Sequence, residues 1–331
     1  MLAQTHHRRW FALIALLSIA TLVAAACGPA IGDRGTLPPS SPAVGTPDPG
    51  SPDPSETPDV EPTTDPSDPP NATPTPAPNP TSTPRPTATP SGATSVKVYL
   101  FAGDRLVPVA RSIDPTRAVG RAAMTELLAG PTAREAGASP ALTTAIPAGT
   151  SLRGLEVANG LATVDLSGSF ESGGGSASMF GRLAQVTFTL TQFPTVDRVA
   201  FRLDGSPVTV FSGEGIVLDR PSVRADFESF LPPVFVDRPA WGGVLGNPAR
   251  LTGVANVFEA SFMIEILDAD GRALVRDHAM ATCGTGCWGT FDVTMRYSVA
   301  RRQAGQLVVY TFSARDGSVQ DLRSYPVTLV P

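Results

Sequence analysis

From Gly28 to Thr94 the chain contains no aromatic residue and is dominated by Pro, Thr, Ser and Asp, as in Thr46-Pro47-Asp48-Pro49 and Thr83-Pro84-Arg85-Pro86-Thr87. A segment with so few large apolar side chains cannot bury enough surface to offset the entropy of ordering its backbone. Any packed core must therefore come from the residues after it. Proline fixes φ and removes an amide donor, so residues 27–94 are expected to form a disordered stalk biased toward polyproline II. At about 3.1 Å per residue, such a stalk reaches at most on the order of 200 Å. That length suits a spacer lifting a folded body off a surface.

What precedes the stalk suggests the surface. His6, His7, Arg8 and Arg9 make a basic start, and an apolar run extends from Trp10 to Ala26. The run is short for a spanning helix and ends in Ala24-Ala25-Ala26 directly before Cys27. Small residues before a cysteine let a signal peptidase reach the backbone and leave a thiol at the new N-terminus. Residues 1–26 therefore read as a lipoprotein signal peptide and Cys27 as the lipidated residue. Several acyl chains at about 0.8 kcal/mol per buried methylene would hold the membrane far more firmly than one myristoyl group. The expected location is extracytoplasmic, with the membrane as partner through the lipid anchor. The Arg8-Arg9 pair leaves twin-arginine export open beside the general route.

The formal net charge is -5 and no basic cluster stands out, so the electrostatic footprint of a nucleic-acid binder is missing. Once Cys27 is lipidated, only Cys283 and Cys287 remain, an even pair outside the reducing cytosol, and a disulfide between them is expected. The loop it closes is short, so its entropic contribution should fall below the roughly 3 kcal/mol of a 15-residue loop.

After Ser95 the pattern is globular and long enough for two domains. Val96, Val98 and Leu100 alternate with Lys97 and Tyr99 like a half-buried strand. Asp114-Pro115 predicts a helix start, with Val119, Ala123, Met124, Leu127 and Leu128 on one stripe and Gly130-Pro131 as the stop. Asn159-Gly160 between Leu155–Val157 and Leu161–Leu166 predicts a hairpin. Gly173-Gly174-Gly175 leads into a second helix with Phe180, Leu183, Thr187 and Leu190 on one face, ended by Pro194. Strands Val199–Leu203 and Val208–Phe211 follow through Asp204-Gly205, and together residues 95–231 predict an α+β domain.

From Pro232-Pro233 no helical period persists, and residues 232–331 read as an all-β sandwich. Phe262, Ile264 and Ile266 alternate before Asp268-Ala269-Asp270-Gly271, with further strands at Arg250–Ala255, Phe291–Tyr297, Leu307–Phe312 and Val327–Val330. Cys283 and Cys287 are too close in sequence to link two sheets as antibody cysteines do.

Two resemblances cover nearly everything after the stalk. The α+β segment resembles the GerMN domain of spore-germination and sporulation lipoproteins through Gly130-Pro131-Thr132, Ala145–Thr150, Ala162–Ser167, Gln185–Thr191 and Leu203-Asp204-Gly205. The C-terminal segment is similar to the immunoglobulin-like domain that accompanies that module. Asn247-Pro248, Leu251–Ala255, Phe258-Glu259-Ala260, Asp270-Gly271, Gly289-Thr290-Phe291 and Asp316-Gly317-Ser318 carry this second likeness. The resemblance implies an envelope lipoprotein with a structural or binding role, linked to sporulation, germination or cell-wall assembly, with no catalytic residues to carry over. Cys283 and Cys287 are not part of the family pattern.

The chemical inventory points the same way. His278 is the only histidine after His6 and His7, and no serine sits in a Gly-x-Ser-x-Gly elbow or a Ser-x-x-Lys motif. No catalytic residue, cofactor or metal site is predicted. Asp165, Asp204 and Glu259 are the carboxylates weighed for glycosidase chemistry, each with a turn or strand-end role as its plainer reading. His278, Cys283 and Cys287 fit three metal ligands by spacing, but the missing fourth ligand favours a disulfide beside a surface histidine. The glycine run reads as a flexible loop ahead of an anion cradle. Trp241 and Trp288 are candidates for stacking on cell-wall sugars, against core packing as the default. The expected partner is an envelope protein or peptidoglycan. A carbohydrate-binding module and, as the least favoured reading, a cell-wall hydrolase stand beside it.

Overall fold

The computed structural model describes residues 92–331. The expected signal segment 1–26, Cys27 and the expected stalk as far as residue 91 lie outside the described residues. Among the described residues, no helix is long and apolar enough to cross a membrane.

The α+β part opens with an antiparallel hairpin of β1 (Thr94–Ala102) and β2 (Arg105–Ile113), turning through Gly103 at positive φ. Tyr99 and Phe101 are buried along with Val98 and Leu100, so β1 is covered on both faces. The alternation in the sequence is misleading because β1 is the central strand of its sheet, in the order β2, β1, β3 (Leu142–Thr143). The Tyr99 ring meets both Phe188 of a later helix and Phe235 of a strand from the C-terminal part.

The first helix, α1 (Val119–Leu128), starts later than Asp114-Pro115 suggests. The Thr116 hydroxyl accepts the Ala118 N–H at 3.1 Å, a local turn that competes with helix propagation. Its buried residues are Ala123, Met124 and Leu127, as the stripe predicts. A short helix, α2 (Ala133–Ala136), follows, with a Thr132/Glu135 capping box.

Strands β4 (Leu152–Ala158) and β5 (Gly160–Leu166) form the expected hairpin, with both Asn159 and Gly160 at positive φ. The central helix, α3 (Ser176–Leu190), is buried nearly all round from Gly181 onward, and only its first turns protrude. Phe180 accordingly remains 40% exposed, off the buried face the period assigns it. The helix ends at Leu190, three residues before Phe193-Pro194. Gly181 is required by packing, since a Cβ there would press within 3.3 Å of both Ala145 and the Phe101 ring.

Strand β6 (Val196–Leu203) runs parallel to β5 and turns through Asp204-Gly205 into β7 (Ser206–Pro207). The predicted strand at Val208–Phe211 is shorter: β8 (Val210–Phe211) pairs only with β9 (Ile216–Val217). A turn-rich 3-10 segment, Arg224–Phe230, closes this part.

The C-terminal part is a sandwich of two sheets. One has the order β10 (Val234–Arg238), β12 (Ala249–Ala255), β15 (Gly289–Met295). The other runs β11 (Val244–Leu245), β17 (Val319–Leu329), β16 (Gln303–Phe312), β13 (Ser261–Leu267), β14 (Ala273–Met280). Phe262, Ile264 and Ile266 alternate into the space between the sheets, and Phe262 meets Phe291 across it at 4.9 Å. Each such side chain contributes roughly 1.5–3 kcal/mol by leaving water. On the outer face, Glu265 accepts from the Tyr310 hydroxyl at 2.6 Å and from Arg276 at 2.7 Å. Cys283 and Cys287 are joined by a disulfide in the loop between β14 and β15.

One hydrophobic cluster runs from Val98 in β1 to Leu329 in β17 without interruption. Phe235 of β10 is the joint: it stacks on Tyr99 at 6.4 Å and meets Phe188 of α3 edge-on at 5.8 Å.

Candidate binding seam

The residues singled out from the sequence as chemical candidates scatter. Asp165 accepts the Gly205 N–H at 3.0 Å, while Asp204 accepts the Gly168 N–H at 3.2 Å and pairs with Arg153 at 2.6 Å. Both carboxylates brace the Asp204-Gly205 turn. Glu259 lies exposed at a tight turn of the sandwich, where its backbone N–H is bound by the Thr285 hydroxyl at 3.0 Å. His278 is exposed on β14 beside Asp277, and its would-be co-ligands Cys283 and Cys287 are consumed by their disulfide. Among the described residues, no group of three His, Cys, Asp or Glu is placed to hold a metal ion.

The glycine run before α3 is held from inside. Arg182, only 3% exposed, donates to the carbonyls of Gly173 at 2.5 Å, Phe170 at 2.7 Å and Ala145 at 3.0 Å. Its burial lowers the guanidinium's pKa, and three carbonyls compensate the charge. Beside it Gln185, fully buried, accepts the Ala145 N–H at 2.8 Å and donates to the Tyr99 carbonyl at 2.7 Å.

The two tryptophans behave differently from the carboxylates, because each lines a cavity and both cavities draw their walls from the two parts of the molecule. The first, about 560 Å³, lies between the β2 edge and the β17 edge, with Trp241 at its wall. Trp241 is 8% exposed, and the Arg134 guanidinium stacks 5.5 Å from its ring centre. The second, also about 560 Å³, is lined by Trp288, Phe188, Phe235, Phe291, Arg224 and Asp237 among others. Trp288 is half-buried there.

A charged cluster fixes the seam at the second cavity. Asp237 of β10 pairs with Lys97 Nζ at 2.5 Å and accepts a short hydrogen bond from the Tyr99 hydroxyl. Arg224 approaches the same carboxylate at 3.5 Å, donates to the Tyr99 oxygen at 3.0 Å and lies 4.7 Å from the Phe188 ring centre. Burial pushes the Asp237 carboxyl up, but the Lys97 and Arg224 charges and its hydrogen bonds outweigh this and hold it below the usual range. Burial also raises the Tyr99 phenol well above its ordinary value, and it lowers Lys97 despite the neighbouring carboxylate.

Backbone bonds lock the seam at the first cavity. The segment after β10 crosses between the two parts: Trp241 donates to the Pro108 carbonyl at 2.8 Å and accepts from Ala110 at 2.9 Å, while Gly242 donates to the Pro326 carbonyl at 2.7 Å.

With this geometry in place, the relationships of the chain become interpretable. Residues 91–209 match a family model described as sporulation and spore germination, and residues 233–318 match the immunoglobulin-like domain of bacterial spore germination. The chain joins a GerMN-type domain to a spore-germination immunoglobulin-like domain. It is similar to lipoprotein LpqB of Thermobifida fusca (strain YX), 30% identical over 188 residues, which is 53% of this chain and 26% of that protein. The match thus spans about a quarter of that relative. Among solved structures, the first GerMN domain of the Bacillus subtilis sporulation protein GerM is 20% identical, with 40% of this chain and 99% of that one covered at a TM-score of 0.35. A putative lipoprotein from Clostridium perfringens is 18% identical, with 42% and 93% covered at a TM-score of 0.30.

The seam residues Lys97, Tyr99, Arg224 and Asp237 escape sequence reasoning, since no local pattern announces a pair 140 residues apart. The Thr132-Ala133-Arg134-Glu135 capping pattern does mark a helix start, and it places Arg134 beside Trp241.

Proposed function

We propose that this GerMN and immunoglobulin-like pair is the non-catalytic, extracytoplasmic body of an envelope lipoprotein. Cys27 is its lipid anchor, residues 27–94 are its stalk, and the body divides at residues 231/232. Its role is to bind or scaffold an envelope partner in sporulation, germination or cell-wall assembly. The observation that carries this reading is the seam. Two cavities of about 560 Å³ are each built from both domains and furnished with aromatic and charged side chains, while Asp165 and Asp204, two of the carboxylates weighed for hydrolysis, are spent on one turn.

A second reading, binding of peptidoglycan glycan, is favoured specifically by Trp288, which presents a half-buried ring in the second cavity. Co-sedimentation of the full chain with purified peptidoglycan separates the two. Retention abolished by Trp288→Ala supports sugar stacking, whereas absence of retention leaves a protein partner. Release of muropeptides by the full chain would overturn the non-catalytic assignment. For the anchor, Cys27→Ala is expected to move the processed protein from the membrane to the soluble fraction, and membrane retention that persists after signal cleavage would refute lipidation at that residue.

A further inference from the structure

We propose that the groove between the β2 and β17 edges, walled by Trp241, is a binding site for an extended acidic peptide segment of a partner. The proposal gives a ligand class to the binding role above and depends on that reading for the extracytoplasmic origin of the partner.

Charge is the first ground. Arg105, Arg134 and Arg323 line the groove, and no Asp or Glu does. Among the described residues, neither Arg134 nor Arg323 has an ion pair, so both guanidiniums can take a carboxylate, unlike Arg111 with Glu135 or Arg250 with Asp292. Arg105 is fixed at the rim by the Ser229 carbonyl at 2.6 Å and by Asp104 at 3.3 Å. Arg134 lies over the Trp241 ring at 5.5 Å from its centre, which keeps its guanidinium at the groove wall. Planar guanidiniums so presented match carboxylates through paired N–H donors.

Backbone is the second ground. The residues after β10 already use both strand edges as an extended ligand would: the Trp241 N–H takes the Pro108 carbonyl, and the Gly242 N–H takes the Pro326 carbonyl. In an antiparallel strand, the N–H and C=O of a residue point to one side, and the side alternates with each residue. Pro108 and Ala110 bond outward from β2, so Leu106 also turns its backbone pair outward. Pro326 and Thr328 bond outward from β17, so Ser324 does the same. Among the described residues, β17 has a second strand partner only at Thr328 and Leu329. The groove therefore continues a pairing that the chain itself begins, and an added strand is the natural occupant. Leu322, 57% exposed at the rim, gives an apolar side chain of such a strand a contact.

The test is calorimetric titration of the full chain in detergent with a capped hexapeptide alternating Glu and Val. Saturable binding is expected, at least tenfold tighter than that of the Lys/Val counterpart. Arg134→Ala and Arg323→Ala should each weaken it about tenfold, roughly the worth of one charge-assisted contact, with the far-ultraviolet spectrum of the folded chain retained. Arg134→Lys, which keeps the charge and loses the fork, should restore only part of the affinity. Methylating alternate amide nitrogens of the peptide should abolish binding through the strand edges. Equal binding of the Lys/Val peptide, wild-type affinity in both arginine variants, or no saturable binding would overturn the site. Full retention by the methylated peptide, or inorganic phosphate binding as tightly as the peptide, would overturn the peptide assignment in favour of a plain oxyanion pocket. None of these outcomes touches the anchor or the absence of turnover, which fractionation and muropeptide release decide.

Discussion

Replacing Asp237 by Asn tests whether charge fixes the two domains to each other. The substitution keeps the side chain's shape and one carbonyl acceptor, but removes the counter-charge of Lys97 at 2.5 Å and of Arg224 at 3.5 Å. An exposed pair would be worth about 0.2–1 kcal/mol, and removal of one partner from a fully buried pair costs roughly 3–5 kcal/mol. The side chains of Lys97, Asp237 and Arg224 are 17%, 24% and 32% exposed, which places the site between these limits and nearer the buried one. The expected loss is therefore about 2–3 kcal/mol, or a fall in thermal midpoint of roughly 4–12 °C for a body of this size. Circular dichroism melts and urea titrations measure it. Combined with Lys97→Met, the losses should fall short of additivity by about 1 kcal/mol, because each change removes the same contact. The pH dependence has a definite sign. The folded Asp237 carboxyl lies below its unfolded value, about 3.9, so its stabilisation is present in full above that pH and is lost as pH falls through the folded value. The gap between wild type and Asp237→Asn should be flat from neutrality to about pH 4 and then close. A variant within about 0.5 kcal/mol of wild type, or a gap that persists unchanged below pH 3, would refute a charge-fixed seam.

Three further perturbations have expected outcomes. Glu135→Ala removes both the α2 capping partner and the carboxylate gripping the buried Arg111, so about 3–5 kcal/mol should be lost in chemical denaturation, with Glu135→Gln recovering part through the cap. Gly253→Ala drives a Cβ into the Phe235 carbonyl oxygen and the Phe291 ring, so β10 must lift from β12, and the variant should be recovered largely insoluble while Gly213→Ala, with open space around it and no positive φ, stays soluble. Reducing Cys283–Cys287 opens a loop of sequence separation 4, whose closure is worth no more than about 2 kcal/mol, so the midpoint should drop by only a few degrees and the far-ultraviolet spectrum should be retained.

Where the chain's own neighbours decide the conformation, the sequence is readable. Asn159-Gly160 demands positive φ at two successive residues and can hardly be anything but a hairpin turn. Phe262, Ile264 and Ile266 face the sandwich interior because one side of β13 is buried and the other carries Glu265. Reading fails where tertiary context overrides the local pattern. Tyr99 sits at an apparently solvent-facing position of β1, yet Phe188 of α3 and Phe235 of β10 close over its ring. The parallel pairing of β5 with β6 leaves no mark on either strand, since the helix between them sets it. Strand β14 is missed because, at the edge of its sheet, most of Ala273–Met280 is exposed and its alternation is blurred.

The seam is the extreme case of that failure, and it also defines what the molecule offers a partner. Trp241 and Trp288 stand out in the sequence as isolated aromatics, and nothing near them indicates that each would line a cavity shared with the other domain. Sliding the domains past one another would strain the Trp241–Pro108 and Gly242–Pro326 backbone bonds at one cavity and the Lys97–Asp237 pair at the other, all while pulling Phe235 out from between Tyr99 and Phe188. Small displacements are resisted by packing, and large ones leave a carboxylate and two cations without partners. Both cavities owe their walls to this one junction, so the two modules must stay docked at Phe235 for either cavity to exist.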